Sequence, residues 1–523
     1  LSATEVGPIG KRFALLNGQR QTHLDRQRAC AALTIPSALP YENTNESTPL
    51  TIPHQSLGAR GIQNITSAIT TALLPPLDPP FRLMIDPDGI SPDEDIPAAM
   101  DAALQQREQR IMQRIQSSNI RIGLHTTVEQ LAVASCAAVY VTKDLNARVY
   151  RLDQFVVQRQ PDGTPLEVIT RDYVDVATLP IEVINANQDL KVLLDSDDSK
   201  IRQVALFTSA AQKAYYEKTG SADAKIPENT PEKHKWVIVQ EVCGQRLNPP
   251  TTRKRCPFVL PRWKAMAGEH YARSMVEDLL GDLRTYDGLQ KSINEAAAAS
   301  SRVVFLVNPT GYTKVDDINN AENGEYVPGK QEDVLPLVAD LSANLQTAVQ
   351  QAQVIENRLG YAFLLNSAIQ PDVERPTATQ IRILAQELDG GKGGIYTHLS
   401  RELMLPLIEL IIERMIEAKE LEAEMDDAIK PVIVTGFEAL GREQEFYKLQ
   451  TLSGVLTALG PDNMDYLNIP EFIESTVTAL NINNRNIKRT EEEVQKIRAN
   501  RLAQQQAIAS LGAMAENQAA KSQ

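Results

Sequence analysis

Val303-Val304-Phe305-Leu306-Val307-Asn308-Pro309-Thr310-Gly311 interrupts an otherwise helical stretch spanning residues 272–419 and sets the order of elements around it. A β-branched run closed by turn formers predicts a strand and a sharp turn. Before it, Leu279, Leu283, Tyr286, Leu289 and Ile293 recur at helical spacing and end in the alanine run 296–299. After it, Leu341, Leu345, Ala348, Val349, Ala352, Ile355, Leu359 and Phe363 repeat at intervals of 3–4, which predicts one buried helix face. The order is therefore helix, β-bearing insertion, returning helix.

Next comes Asn366-Ser367-Ala368-Ile369-Gln370-Pro371-Asp372-Val373-Glu374-Arg375-Pro376, whose two prolines forbid a continuous helix. Thr377 and Gln380 form a capping box that starts another. That helix runs past Leu384 and Leu388, meets Gly390, Gly391, Gly393 and Gly394, and resumes through Leu399, Leu403, Leu407, Leu410 and Ile411. Each glycine inside a helix costs about 0.8–1 kcal/mol relative to alanine, so the run predicts a kink. Two helices joined by a glycine-rich turn are the other reading.

Five hundred and twenty-three residues supply two to four domains with real cores. The chain starts at Leu1, from which a missing native N-terminus is expected. Its formal charge of −14 and pI near 5.1 argue against general DNA affinity, which needs a basic surface, while leaving room for local basic patches. Cys30, Cys136, Cys243 and Cys256 lie far apart without C-x-x-C spacing and read as reduced intracellular thiols. The most apolar helix, 403–416, is broken by Pro406, Glu409, Glu413 and Arg414, so no membrane span is expected. The composition predicts a soluble, mainly helical protein.

Taken in order, residues 11–32 are helical in pattern and Gly58 opens a helix running to Leu74. Asp86-Pro87-Asp88-Gly89 is a turn rather than a calcium loop, because Pro97 occupies the place of the closing glutamate. Two helices, 96–117 and 123–135, lead to a strand over 137–141. Pro161-Asp162-Gly163 between 155–159 and 166–171 is a hairpin signature, and 236–239 another strand. Residues 84–262 thus predict an α+β domain, with 180–231 too polar to assign. A short strand at 432–434 and a separate helical tail from Glu438, with a capping box at Thr490 and Glu493, complete the chain.

Chemistry is mostly missing. No Walker A loop, no G-x-S-x-G elbow and no zinc spacing among the six dispersed histidines is found, and the pairs Asp316-Asp317 and Asp426-Asp427 sit in solvated contexts. No cofactor or metal is expected, and nothing asks for an enzyme. One surface invites a function: Gln346, Gln350, Gln353 and Asn357 make a neutral polar stripe beside the apolar one on the returning helix. Uncharged amides hydrogen-bond without gripping phosphate. A subunit seam, the wall of a channel through which DNA slides and a solvated face all fit.

The order of parts resembles bacteriophage portal proteins, and local segments are similar to the short-tailed, T-seven-like group. Those segments are Gly58-Ala59-Arg60-Gly61, Tyr150-Arg151-Leu152 leading to Val156-Val157-Gln158-Arg159, and Gly281-Asp282-Leu283-Arg284. Leu306-Val307-Asn308-Pro309, Phe363-Leu364-Leu365-Asn366-Ser367-Ala368, Leu403-Met404-Leu405-Pro406-Leu407 and Thr435-Gly436-Phe437-Glu438-Ala439-Leu440-Gly441-Arg442 extend the series. Each alone is weak; together, over residues 58–447, they are specific.

The resemblance implies a mainly α fold with an α+β wing, assembled as a dodecameric ring around a central channel at one capsid vertex. By segment it implies a wing (1–273), stem helices (274–300 and 342–364), a clip (301–341), a channel loop (365–376), the long kinked helix and end of the wing (377–436), and a helical crown (437–523). Double-stranded genomic DNA would pass through during packaging and ejection. The terminase motor and then the tail adaptor would dock at the clip, the major capsid and scaffolding proteins would surround the ring, and internal core proteins would sit at the crown. Assembly in the host cytoplasm, residence in the virion and no catalytic activity are implied as well. Arg375, with Gln370 and Glu374, would face DNA from the loop, and Gln346, Gln350 and Gln353 from the stem. Tyr312, Lys314, Asp316 and Asp317 would meet the adaptor. A helical capsid or scaffold protein without a channel, or a packaging ATPase or nuclease, are the competing classes; the last lacks a phosphate loop or carboxylate cluster in the sequence.

Overall fold

The computed structural model describes residues 7–41, 48–75, 80–85, 98–196, 202–219, 230–300, 304–322, 326–337, 342–365, 394–422 and 429–433. The chain divides into two units, Leu1–Gly436 and Phe437–Gln523, and every described residue lies in the first. The expected crown, the turn at Asp86 and the capping box at Thr377 lie outside the described residues.

The N-terminal pattern, expected as one helix, folds as two: α1 (Pro8–Gln19) and α2 (Gln21–Ala32). Arg20 separates them at φ −96° and ψ 3°, its buried guanidinium donating to the Leu152 carbonyl and lying over the Tyr271 ring. Gly18, in the last turn of α1, weakens the helix just ahead of the break, and the contacts of Arg20 far along the chain fix it. In α3 (Leu57–Leu73), Ile62, Ile65, Ile69 and Leu73 repeat at 3–4 spacing and are all buried. After β1 (Phe81–Ile85) come α4 (Ala98–Ser117) and α5 (Ile120–Ala134), and α3 packs against α5 at the centre of the largest core.

Strands β2 (Ala138–Val141) and β3 (Ala147–Tyr150) form a hairpin, and β4 (Phe155–Arg159) turns at Gly163, whose φ is +91°, into the long β5 (Pro165–Asp175). The polar region 180–231 contains α6 (Ile181–Ala186), α7 (Gln188–Leu194), β6 (Gln203–Gln212) and α8 (Lys213–Thr219). With β7 (Trp236–Val242), β8 (Gln245–Arg246) and β9 (Thr251–Arg253), these strands build a six-stranded antiparallel sheet in the order β4-β5-β6-β7-β8, with β9 also on β7. Ile9, Phe13 and Leu16 of α1 pack with Val156, Ile169, Val237 and Val239 of the sheet, while Val183, Ile184 and Leu190 of α6 and α7 form a second small core with Val204 and Val242. Strand β10 (Phe258–Val259) adds to β2, giving the order β10-β2-β3.

The second half supplies α9 (Met275–Ser300), β11 (Val304–Val307), α10 (Val315–Asn320), β12 (Val334–Leu337) and α11 (Ser342–Ala362). Helix α12 (Ile395–Leu399) continues through a π-helical turn, Ser400–Met404, into α13 (Leu405–Glu417). Pro406 lacks the N–H that an α-turn would need, and the widened turn falls just ahead of it. Gly394 caps α12 with φ +77°, so the described side of the glycine run is the start of a new helix; Gly390, Gly391 and Gly393 lie outside the described residues. Finally β13 (Ile429–Ile433) returns to pair with β1, Phe81 opposite Ile433. Among the described residues the fold is helix-rich, with open sheets and no closed barrel.

Candidate functional site

Helices α9 and α11 are two rods joined by a β-hairpin, in which Val304 pairs with Leu337 and Val307 with Val334. At 1.5 Å per residue, the 26 residues of α9 and 21 of α11 give rods of roughly 39 and 32 Å. Ser274 starts α9, its Oγ accepting from the Glu277 N–H at 3.1 Å. Glu277 is held in turn by Gln27 at 2.9 Å and Arg273 at 2.8 Å, which fixes the rod's root to α2.

Only the root halves are cored. Val276, Leu283 and Tyr286 of α9 share the main core with Ala352, Ile355 and Leu359 of α11 and with Phe363 just after it. The apolar face expected to run the length of α11 stops there: Leu345 and Ala348 are half-buried and Val349 is 47% exposed. The core ends, and the rods project beyond it. On α11 the exposed arc holds Gln346, Gln350, Gln353 and Asn357, together with Val354 and Tyr361, the latter 73% exposed. Arg358 alone is charged on this arc, and Asp282 of α9 neutralises it at 3.1 Å. The amide stripe read from sequence is therefore a real surface, uncharged over its length, with Gln353 and Asn357 bonded to one another at 3.4 Å.

The C-terminal root of α11 is unusual. Leu364 adopts the left-handed conformation (φ +57°), and the Leu365 N–H bonds back to the Gly360 carbonyl at 2.9 Å. That is a Schellman-type stop made with leucine where glycine is normal. Asn64 of α3 secures it by donating to the carbonyls of Phe363 and Leu364 at 3.0 and 3.1 Å. The chain thus enters residues 366–376 from a fixed point. Arg375, Gln370 and Glu374 lie outside the described residues.

At the far end, Tyr312, Lys314 and Asp316 are exposed around α10, where Asp317 also falls, and Tyr326 is wholly exposed. Asp333 organises this end. Its carboxylate accepts from the Thr313 N–H (3.2 Å), the Thr313 hydroxyl (3.0 Å) and the Tyr312 N–H (2.9 Å), and these bonds hold its pKa below the usual carboxylate range. Sequence reading missed Asn64 and Asp333, whose roles depend on backbone remote in sequence, and Leu364, a leucine in the place where glycine is normal. Among the described residues no group of three metal-ligating side chains gathers, and no helix is long and apolar enough to cross a membrane. All four cysteines are free; burial pushes the Cys30 thiol up to about 11 and Cys256 up to about 12.

The sequence profile of the bacteriophage head to tail connecting protein family matches residues 7–487. The chain belongs to that family. Its curated relatives include the portal protein of Enterobacteria phage T3, 33% identical over 94% of this chain and 91% of that one. The portal protein of Escherichia phage T7 is 31% identical over 97% of this chain and 93% of its own length. Among solved structures, a chain from the neck of an empty GTA particle computed with C6 symmetry is 11% identical and covers 76% of this connector and 86% of itself, with a TM-score of 0.36, too loose a likeness to carry an argument. The family match extends across both rods, the hairpin between them and the sheet domain alike.

Proposed function

We propose that this connector protein is a portal protein, whose copies form the ring at the unique capsid vertex through which genomic DNA enters and leaves. The observation that carries this reading is the near-full-length similarity to the T3 and T7 portal proteins, with the rods, hairpin and sheet domain all inside the aligned length. In this reading twelve copies assemble. Residues 1–273 and 377–436 form the wing, α9 and α11 the stem, residues 301–341 the clip, 365–376 the channel loop and 437–523 the crown.

The uncharged outward arc of α11 supports its place on the channel wall or against the neighbouring stem. A wall of amides offers hydrogen bonds to water and none of the salt links that would trap a phosphate backbone. An acidic ring repels the duplex at short range, within a Debye length of about 8 Å at physiological salt, so DNA slides without sticking. Arg375, flanked by Gln370 and Glu374, holds the genome when the motor stops. The exposed residues Tyr312, Lys314 and Asp316, with Asp317 beside them, dock the terminase motor and later the tail adaptor. Major capsid and scaffolding proteins meet the wing, and internal core proteins the crown. The chain catalyses no step; nucleotide hydrolysis belongs to the motor.

Negative-stain micrographs of the purified protein test this directly. Top views with a central hole and twelvefold symmetry are expected, and monomers or solid-centred particles would refute it. Within intact rings, Arg375→Ala should weaken genome retention in filled heads.

A further inference from the structure

Beside the six-stranded sheet lies an open cleft of about 820 Å³, walled on one side by the sheet and the Gly163 turn and on the other by the π turn and α13. Seven cationic side chains line it against two carboxylates, in a chain whose formal charge is −14. Both carboxylates are committed. Glu402 takes the backbone N–H and Nε of Arg262 at 3.1 and 3.2 Å, and Glu409 faces Arg255 at 3.6 Å. Among the described residues, Arg159, Lys235 and Arg401 of this lining form no ion pair.

Arg159 is the most telling of these. It is 7% exposed, and its guanidinium donates only to carbonyls: His270 at 3.1 Å, Gly163 at 3.0 Å and Leu260 at 2.7 Å. Its hydrogen bonds are satisfied while its charge has no anion in contact, a costly arrangement in a cleft wall. Burial accordingly lowers its pKa. Lys235 on the sheet side and Arg401 in the π turn stand exposed at the rim. The aromatic residues of the wall, Trp236 and Phe258, are buried, so no face is offered on which a base could stack.

A site rich in cationic donors and poor in stacking surface recognises phosphate without reading sequence. We propose that this cleft is a phosphate-binding site, separate from the channel loop, that holds the phosphodiester backbone of DNA. Screening confines the attraction to the cleft, because charges beyond about 8–10 Å contribute little. The site stands on residues of one chain and does not require the ring.

Fluorescence anisotropy of the full-length protein with a labelled duplex oligonucleotide at stepped salt tests it, comparing wild type with Lys235→Glu/Arg401→Glu. Neither side chain belongs to the ion pairs described above. Affinity should fall about tenfold or more, and the salt slope should flatten by about 2 for two lost contacts. Should the double reversal lower Tm, Lys235→Gln/Arg401→Gln reads the same loss with less perturbation. Equal affinity and slope in wild type and variant would overturn the proposal. So would a variant altered in assembly by sedimentation but not in DNA binding, which would assign the cleft to contacts between copies. Inorganic tripolyphosphate should displace the duplex; tripolyphosphate binding with no duplex binding would overturn DNA as the source of the phosphate. Ring formation is read separately in micrographs, so either reading can fail alone.

Discussion

The Phe363 ring lies so close over Gly61 that a Cβ built on that glycine would fall 2.4 Å from its Cγ. Gly61 is on α3 and Phe363 ends the buried face of α11, so this contact seats the rod on the core. Neither can give way easily, since Phe363 is fully buried.

Gly61→Ala should therefore act as overpacking and destabilise the protein by about 1–3 kcal/mol. Thermal unfolding of the variant checks this, and Gly61→Ala/Phe363→Leu should recover part of the loss by vacating space. An unchanged Tm in the single variant would mean that the rod shifts freely at its root.

His23 makes stability depend on pH. Its ring is buried, stacks on Tyr271 at 5.3 Å, and lies 3.4 Å from an Arg26 nitrogen at Nδ1 and 3.3 Å from the Ser135 hydroxyl at Nε2. With Arg26 donating to Nδ1, the proton of the neutral ring sits on Nε2. Burial, then the nearby Arg26 charge, lowers its pKa to about 4 from 6.5. Between those values the unfolded chain binds a proton that the native state refuses. The stabilisation is whole above pH 6.5 and declines toward pH 4, by of order 3 kcal/mol at the lower end. Urea midpoints at pH 7 and pH 4.5 should diverge more for wild type than for His23→Gln.

The rods and hairpin were legible because α9, α11 and β11 carry strong periodic signals that local physics enforces. The end of the buried face was not. Val349 and Ile355 look alike in sequence, and only the extent of the core separates them. Strand β6 escaped because Gln203–Gln212 mixes polar and small residues, several of them half-buried between neighbouring strands. The break at Arg20 has a local mark in Asn17-Gly18 but is fixed by Leu152, and the capping role of Asn64 rests on carbonyls about three hundred residues away, beyond any local pattern. Of the candidate site, the amide stripe was readable from spacing alone. The basic cleft was not, since its lysines and arginines come from three separate stretches of chain.

Asn64 fixes the point at which the chain leaves α11. Its amide donates to the carbonyls of Phe363 and Leu364, just past the last residue of α11, beside a leucine held left-handed, a conformation that costs a non-glycine residue about 1–2 kcal/mol. Asn64→Asp keeps the shape, removes both donors and places a negative charge at a helix C-terminus, where the dipole already disfavours it. Leaving those carbonyls unsatisfied should cost about 1–3 kcal/mol. The loss should be local. Hydrogen exchange at the Leu364 and Leu365 amides should accelerate well before that of α3, because only the backbone bonds to Tyr361 and Gly360 then hold the stop. If residues 365–376 gate the channel, Asn64→Asp heads should also leak genome with Arg375 intact. Unaltered exchange at those two amides would show that the leucine stop holds without Asn64, and would leave the loop's anchoring to α11 alone.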